Sequence, residues 1–412
     1  MFCFTVIMYV IDLIKTFQIA RSFHKNPPSV TECDKIIVKT SDEMGSEYLR
    51  SKFSAIEDQR HASYIDYTLS DILIIVMSAV LCGLDGLAEI MQHATNRSDF
   101  FREKFGIKQI PSKPTVSRVL NMIDGDAVAQ VIIDIMKERS DIVGNIIAVD
   151  GKAIKSTTEP GKPHSALQIL TAYLTESGVV IGQHAIHEKT NEIPVFQAML
   201  GVLSIKGKTI TADAMHCQKE TCKRIIAVGG DYVFGLKENQ KTLYGDVALF
   251  INNEINADSI EKATTTEKSH GRYEKRTCHK VTDIRWLEGK ESWAGLKAVF
   301  AIRRIVTSKG KTTDETSYYI TSTDTSPEEL LRIVREHWKI ESLHWLLDVT
   351  FSEDECRILS ENGHKTLNIF RKIALMLHKR FIASLSRKIS VKASLLNCLM
   401  DDMHLCRLFE CL

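Results

Sequence analysis

Asp150 in NIIAVDGK, Asp213 at the end of KTITAD and Glu341 inside REHWKIESLHWLLDV are three acids on three separate segments that could share one cation site. Carboxylates suit magnesium, a hard cation that takes oxygen ligands and keeps waters for substrate phosphates. Two such ions about 3.5–4 Å apart can activate an attacking oxygen and steady a leaving one in an in-line displacement at phosphorus. The chemistry these residues suggest is phosphodiester cleavage or transfer, provided that the fold brings the three segments together.

The elements that must do so can be read around them. Asp150 closes a short apolar run, and Gly151 after it lets other groups approach the backbone closely. LQILTAYL and VVIGQHAI, separated by Glu176, Ser177 and Gly178, read as a hairpin. A helical stripe of Val195, Phe196, Met199, Leu200 and Leu203 follows. KTITAD is another strand, Gln218 to Val228 another helix and DYVFGL another strand. Three strands, helix, strand, helix, strand is an order that resembles the RNase H-like core, with Asp150 on the first strand and Asp213 at the end of the fourth.

The ordered blocks DILIIVMSAVLCG, IPSKPTVSRVL, AVDGKAIK, HEKTNEIP, TADAMHCQK, GDYVFGLKENQ, EKSHGRYEKR, HWKIE, LHWLLDV and EDECRI resemble the DDE transposases of bacterial insertion sequences, of the Rhs-associated H-repeat type, from about Met44 to about Lys379. The resemblance implies that Asp150, Asp213 and Glu341 are the catalytic and metal-holding acids. It implies Mg2+ or Mn2+, two ions, as cofactor, and double-stranded DNA, both element ends and target, as partner, with a homodimer forming in the DNA complex. The implied reaction is hydrolysis at an element end followed by strand transfer. Two alternatives stand beside it: an RNase H-like nuclease that does not join strands, and a catalytically impaired DNA-binding relic.

The expected fold class is α/β, an RNase H-like catalytic core with a helical N-terminal module and a β-rich insertion. Residues 1–43 form an extension outside the resemblance. Residues 44–140 form the helical module, in which DILIIVMSAVLCG is apolar nearly all round, as in a buried helix. There Ser112 offers an N-cap to a helix carrying Lys113, Ser117 and Arg118, which reads first as an ordinary capped helix and could also lie in a major groove. Residues 141–385 hold the catalytic domain with an insertion at about 255–322, where KAVFAIRRIV and ETSYYIT alternate as strands. Residues 386–412 are a tail, and the basic stretch from Arg371 to Lys392 could track phosphates or form a solvated face.

Candidate DNA contacts are Lys152 after the first acid, Lys237 and Asn239 after the fifth strand, and His270, Arg272 and Arg276 along one face of SHGRYEKR. His337 joins them beside the third acid. More distant insertion-sequence transposases carry a tyrosine, an arginine and a lysine where this chain has Val334, His337 and Asp348, so those particular roles do not carry over. His337, Glu341, His344 and Asp348 share one helical face, while Trp338 and Trp345 form another stripe expected in the core. H-repeat relatives have two residues between this glutamate and LHW, and this chain has only Ser342. The loss turns everything beyond it by about 100°, and a break or bulge is the expected means of absorbing it.

The net charge of +1 over 412 residues gives no global signature of nucleic-acid binding, so DNA must be met by local patches. Ten cysteines without a CxxC pair, in a chain this long, exclude a disulfide scaffold and favour the cytoplasm. MFCFTVIMYVI is apolar, but Asp12 and Lys15 interrupt it well short of the ~18–20 residues of a membrane span. HExxH is absent and His216, Cys217 and Cys222 lack zinc-ligand spacing, so no zinc site is expected.

Overall fold

The computed structural model describes residues 47–138, 142–158, 161–162, 165–186, 192–269, 271–358 and 360–412. The extension at 1–43, His270 and most of HEKTNEIP lie outside them. After a helical stretch at 47–53, the described residues continue with helices α1 (Leu69–Leu81), α2 (Leu87–Asn96), α3 (Ser98–Phe105), α4 (Lys113–Met122) and α5 (Gly125–Glu138). In α1 every residue but Asp71 is buried, as its unbroken apolar run requires, and Thr68 caps it by accepting from the Asp71 amide. Ser112 precedes α4 as expected, with Pro114 in the first turn, but its hydroxyl meets Thr115 Oγ1 at 3.0 Å instead of capping the backbone.

The core follows in the expected order: β1 (Ile146–Ile154), β2 (Leu167–Leu174), β3 (Val179–Ile186), α6 (Glu192–Val202), β4 (Thr209–Ala212), α7 (Lys219–Ala227) and β5 (Asp231–Leu236). β1, β2 and β3 form an antiparallel meander, while β4 lies parallel to β1 and β5 parallel to β4. This is an RNase H-like core, and the strand order is β3-β2-β1-β4-β5.

α8 (Lys241–Asn252) leads into β6 (Glu261–Ser269), β7 (Arg272–Val281), β8 (Ala298–Ser308) and β9 (Lys311–Thr321). This is the β-rich insertion, and it continues the core sheet. β9 pairs antiparallel with β5 from Val233↔Thr321 to Leu236↔Tyr318, giving one nine-stranded sheet. Gly271, at φ 73°, turns β6 into β7, so the strand begins at Arg272 and does not run through SHGRYEKR.

α9 (Pro327–Phe351) then crosses the sheet against β1, β4, β6 and β7. Ser326 caps it through the Glu329 amide, and Pro327, Glu328 and Glu329 occupy its first turn, where a missing N–H and negative charge are both favourable. The expected break after Glu341 is absent: α9 is helical through all 25 residues, and Ser342 Oγ donates to the Trp338 carbonyl at 3.1 Å.

The chain closes with α10 (Glu361–Ser384), α11 (Val391–Met400) and α12 (Asp402–Glu410). The stretch expected to be a tail is thus helical, and α10 and α12 pack on α1. The expectation of a DNA-tracking basic face is corrected at its start, since Arg371 and Lys372 are buried inside the protein. Arg371 pairs with Asp85 and Glu353, and Lys372 donates to Thr171 Oγ1 at 2.8 Å and Gln183 Oε1 at 2.6 Å. Arg387, Lys388 and Lys392 beyond them are exposed. Among the described residues no helix is long and apolar enough to cross a membrane.

Candidate active site

The parallel pairing of β1 and β4 aligns Val149 with Ala212, so Asp150 and Asp213 come one residue later on neighbouring strands, at the same edge. On α9, Ile340, Leu343, Leu347 and Phe351 are buried and fix which way the helix faces. The adjoining face carries His337, Glu341, His344 and Asp348, as their spacing implied: His337, His344 and Asp348 reach residues of β4 and β1, and Glu341 is exposed beside them. His337 Nδ1 is hydrogen-bonded with Thr211 Oγ1 at 3.0 Å, and its Nε2 lies 4.0 Å from Asp213. His344 Nδ1 lies 3.2 Å from Asp150 Oδ2.

Glu341 feels the two aspartates. Partial burial raises the pKa of Glu341 first, and the charges of Asp150 and Asp213 raise it further. Burial lowers that of His337 against the pull of Asp213 and Asp150, favouring a neutral ring. The three-carboxylate donor set is hard and suits a divalent cation of the magnesium type. Among the described residues, however, no group of three or more His, Cys, Asp or Glu side chains stands in ligating geometry. The Asp213 side chain is 60 % exposed.

The tryptophan expectation is corrected. Trp338 and Trp345 are 53 % and 60 % exposed, because Ile340, Leu343 and Leu347 take the core positions on α9. Arg304 lies over the Trp338 ring, 5.8 Å from its centroid. Trp338 also lines a cleft of about 390 Å³ shared with Asp213, Glu341, His337, Lys237 and Tyr319.

The candidate DNA contacts divide. Lys237 is exposed at the mouth of that cleft. Asn239 donates to the Ala214 carbonyl at 2.7 Å, which ties the loop after β5 to the turn after Asp213. Arg272 and Arg276 share a face of β7, as expected, but both pair with Glu274, as does Arg304 of β8. The Glu274 side chain is 3 % exposed, and the three arginines outweigh the cost of burial to hold its pKa below the usual range. Lys152 is corrected: its side chain is 11 % exposed, and its ammonium is enclosed by Asp348, Glu353 and Asp354 instead of being open to a phosphate.

Sequence reasoning missed two partners of these strands. His344 was placed on the face of Glu341 without a role, although its position one turn beyond that acid signalled a neighbour of the site. Gly151 makes room for a side chain, since a Cβ there would lie 2.8 Å from Glu192 Oε1. Glu192 thereby reaches His216 Nε2 at 2.9 Å, bracing the turn that follows Asp213 from the far face of β1.

Comparison with known proteins shows the family. The Transposase DDE domain family matches residues 143–377, and the DDE_Tnp_1-associated family matches residues 50–136. The H repeat-associated protein YhhI of Escherichia coli strain K12 is 33 % identical over 353 residues, 82 % of this chain and 93 % of that protein. YncI of Escherichia coli O157:H7 is 34 % identical over 349 residues, 81 % of this chain and 88 % of that protein. A solved piggyBac transposase synaptic complex with hairpin DNA gives a TM-score of 0.40 at 11 % identity, covering 86 % of this chain and 76 % of that one. The family match over the sheet and α9, together with these relatives, establishes that the chain belongs to the DDE transposases, of the H-repeat type.

Proposed function

We propose that this protein cleaves DNA at the ends of an insertion element and joins the freed end to a target strand, with Asp150, Asp213 and Glu341 as the metal-holding acids. The observation that carries this reading is the pairing of β1 with β4, which sets Asp150 and Asp213 at one sheet edge, beneath the helix face whose His344 and His337 approach them and which also carries Glu341. Bound Mg2+ or Mn2+ supplies activation of the attacking oxygen and stabilisation of the leaving one. In the first step water oxygen attacks phosphorus, the bond from phosphorus to the 3′ oxygen breaks, and a 3′-OH is released. In the second that hydroxyl gives up its proton and its oxygen attacks a target phosphorus, the bond from that phosphorus to the target 3′ oxygen breaks, and the target 3′ oxygen takes up a proton and leaves as a 3′-OH. His344 orients Asp150, and His337, held by Thr211, faces Asp213. Lys237 and the arginine face of β7 meet the DNA backbone, and two copies of the chain bridge the two ends.

The test is an in vitro reaction on duplexes carrying the flanking genomic ends, with Mg2+ or Mn2+, run for the wild type and for Asp150→Asn. Metal-dependent nicking and joining by the wild type alone is expected. Nicking without joining would make the protein a nuclease, and neither would make it a DNA-binding relic.

A further inference from the structure

Lys152 leaves β1 two residues after Asp150, on the same face. Its ammonium lies 2.7 Å from Asp348 near the end of α9, 2.8 Å from Glu353 and 3.5 Å from Asp354. Glu353 is completely buried, accepts from Asn368 at 2.7 Å and lies 3.4 Å from Arg371. Arg371 in turn pairs with Asp85, between α1 and α2. Ionic contacts thus run without interruption from the N-terminal helices to the strand that carries Asp150.

We propose that Lys152 is a positioning residue: by drawing Asp348, Glu353 and Asp354 onto β1, it fixes the rotation of α9 about its own axis and keeps Glu341 and His344 turned toward Asp150. The proposal rests on the reading of the three acids as the metal site. Asp348 stands seven residues beyond Glu341, almost two full turns, so pinning its azimuth pins that of Glu341. Burial disfavours the Lys152 ammonium, but Glu353 and Asp348 outweigh it and keep the group charged. Asp348 also lies in the last turn of α9, where the carbonyl end of the helix adds negative potential that a cation relieves. Without the ammonium, Asp348, Glu353 and Asp354 would converge on β1 close to Asp150. Arg371 behind Glu353 and Lys155, 3.0 Å from Asp354 on the outer flank, neutralise the back and the rim of the cluster but not its contact with α9. The C-terminal half of α9 would then swing off the strand.

The test uses the full chain with Lys152→Met, Lys152→Arg, Asp348→Asn and the double variant Lys152→Met with Asp348→Asn. Mn2+ affinity is measured by titration calorimetry, and amide hydrogen exchange is followed across residues 341–351, below each variant's thermal midpoint. Removal of an outer group that orients metal ligands typically costs 10–100-fold in affinity. Lys152→Met should weaken Mn2+ binding by roughly tenfold or more and speed exchange in the second half of α9. Lys152→Arg should restore most of both, and the double variant, with one repelling charge gone, should recover part. Wild-type affinity and exchange in Lys152→Met would overturn the proposal. If that variant does not fold, Asp348→Asn decides: it should shift both readouts in the same direction by a smaller factor, and no shift overturns the idea. If the wild type binds no Mn2+, the metal-site reading fails, and exchange across α9 alone decides the role of Lys152.

Discussion

His344 Nδ1 stands 3.2 Å from Asp150 Oδ2, joining the helix of the third acid to the strand of the first. A ring nitrogen this close to a carboxylate restricts its orientation and, with it, the lone pair offered to a cation. His344→Ala should weaken Mn2+ binding about 10–100-fold, and His344→Asn, whose amide can donate from nearly the same place, should recover part of it. Titration calorimetry checks both; equal affinities for the wild type and the alanine variant would remove His344 from the site.

Glu341 supplies a pH-dependent signature of the metal-free protein. Its folded-state pKa is raised by burial and by Asp150 and Asp213. The stability it contributes is therefore complete below its unfolded pKa and is lost as pH rises through the raised folded value. Glu341→Gln should match the wild type in thermal midpoint at pH 4 and exceed it at pH 7 without metal. Saturating Mn2+ should reverse the order at pH 7. Identical melting curves across that range would mean that the three carboxylates do not share a field.

The unbroken α9 settles what lengthening the segment after Glu341 should do. Glu341 already faces the aspartates while Leu343 and Leu347 are buried, so this register serves both. An asparagine inserted between Glu341 and Ser342 would turn His344, Leu347 and Asp348 by about 100°, away from Asp150, the core and Lys152. The insertion should lower the thermal midpoint and abolish metal-dependent nicking. A more active insertion variant would show that the register seen here is not the working one.

The arginines around Glu274 bear on how a nearly neutral protein meets DNA. Changing Arg272 and Arg276 together to alanine leaves Arg304 on Glu274, 2.6 Å away, so β7 keeps a partner for its buried acid. Fluorescence anisotropy over a salt series should show weaker binding to any duplex and a salt slope shallower by up to about 2. An unchanged slope would place the DNA elsewhere.

Much of this was legible in the chain. The period-2 runs and their turn residues marked the strands in order, and the four-three-four spacing of His337, Glu341, His344 and Asp348 marked the face that meets Asp150 and Asp213. What stayed hidden depended on partners far away in sequence. Arg371 and Lys372 read as a basic face because Asp85, 286 residues from Arg371, and Thr171, 201 from Lys372, cannot be matched to them by local pattern. Burial lowers the Lys372 pKa to about 7, which no window of neighbouring residues discloses. Trp338 and Trp345 looked like core because they are large and apolar, yet a helix with one buried stripe had already spent it on Ile340, Leu343 and Leu347.

The packing of α10 and α12 on α1 bears on how the chain is made. On the ribosome, α1 emerges almost 300 residues before α10 and α12, and until then α2 covers only part of its apolar surface. Contacts that close so long a loop form late and slowly. A nascent chain that stops short of Glu361 is left with an unsatisfied apolar helix and becomes a substrate for chaperones and proteases.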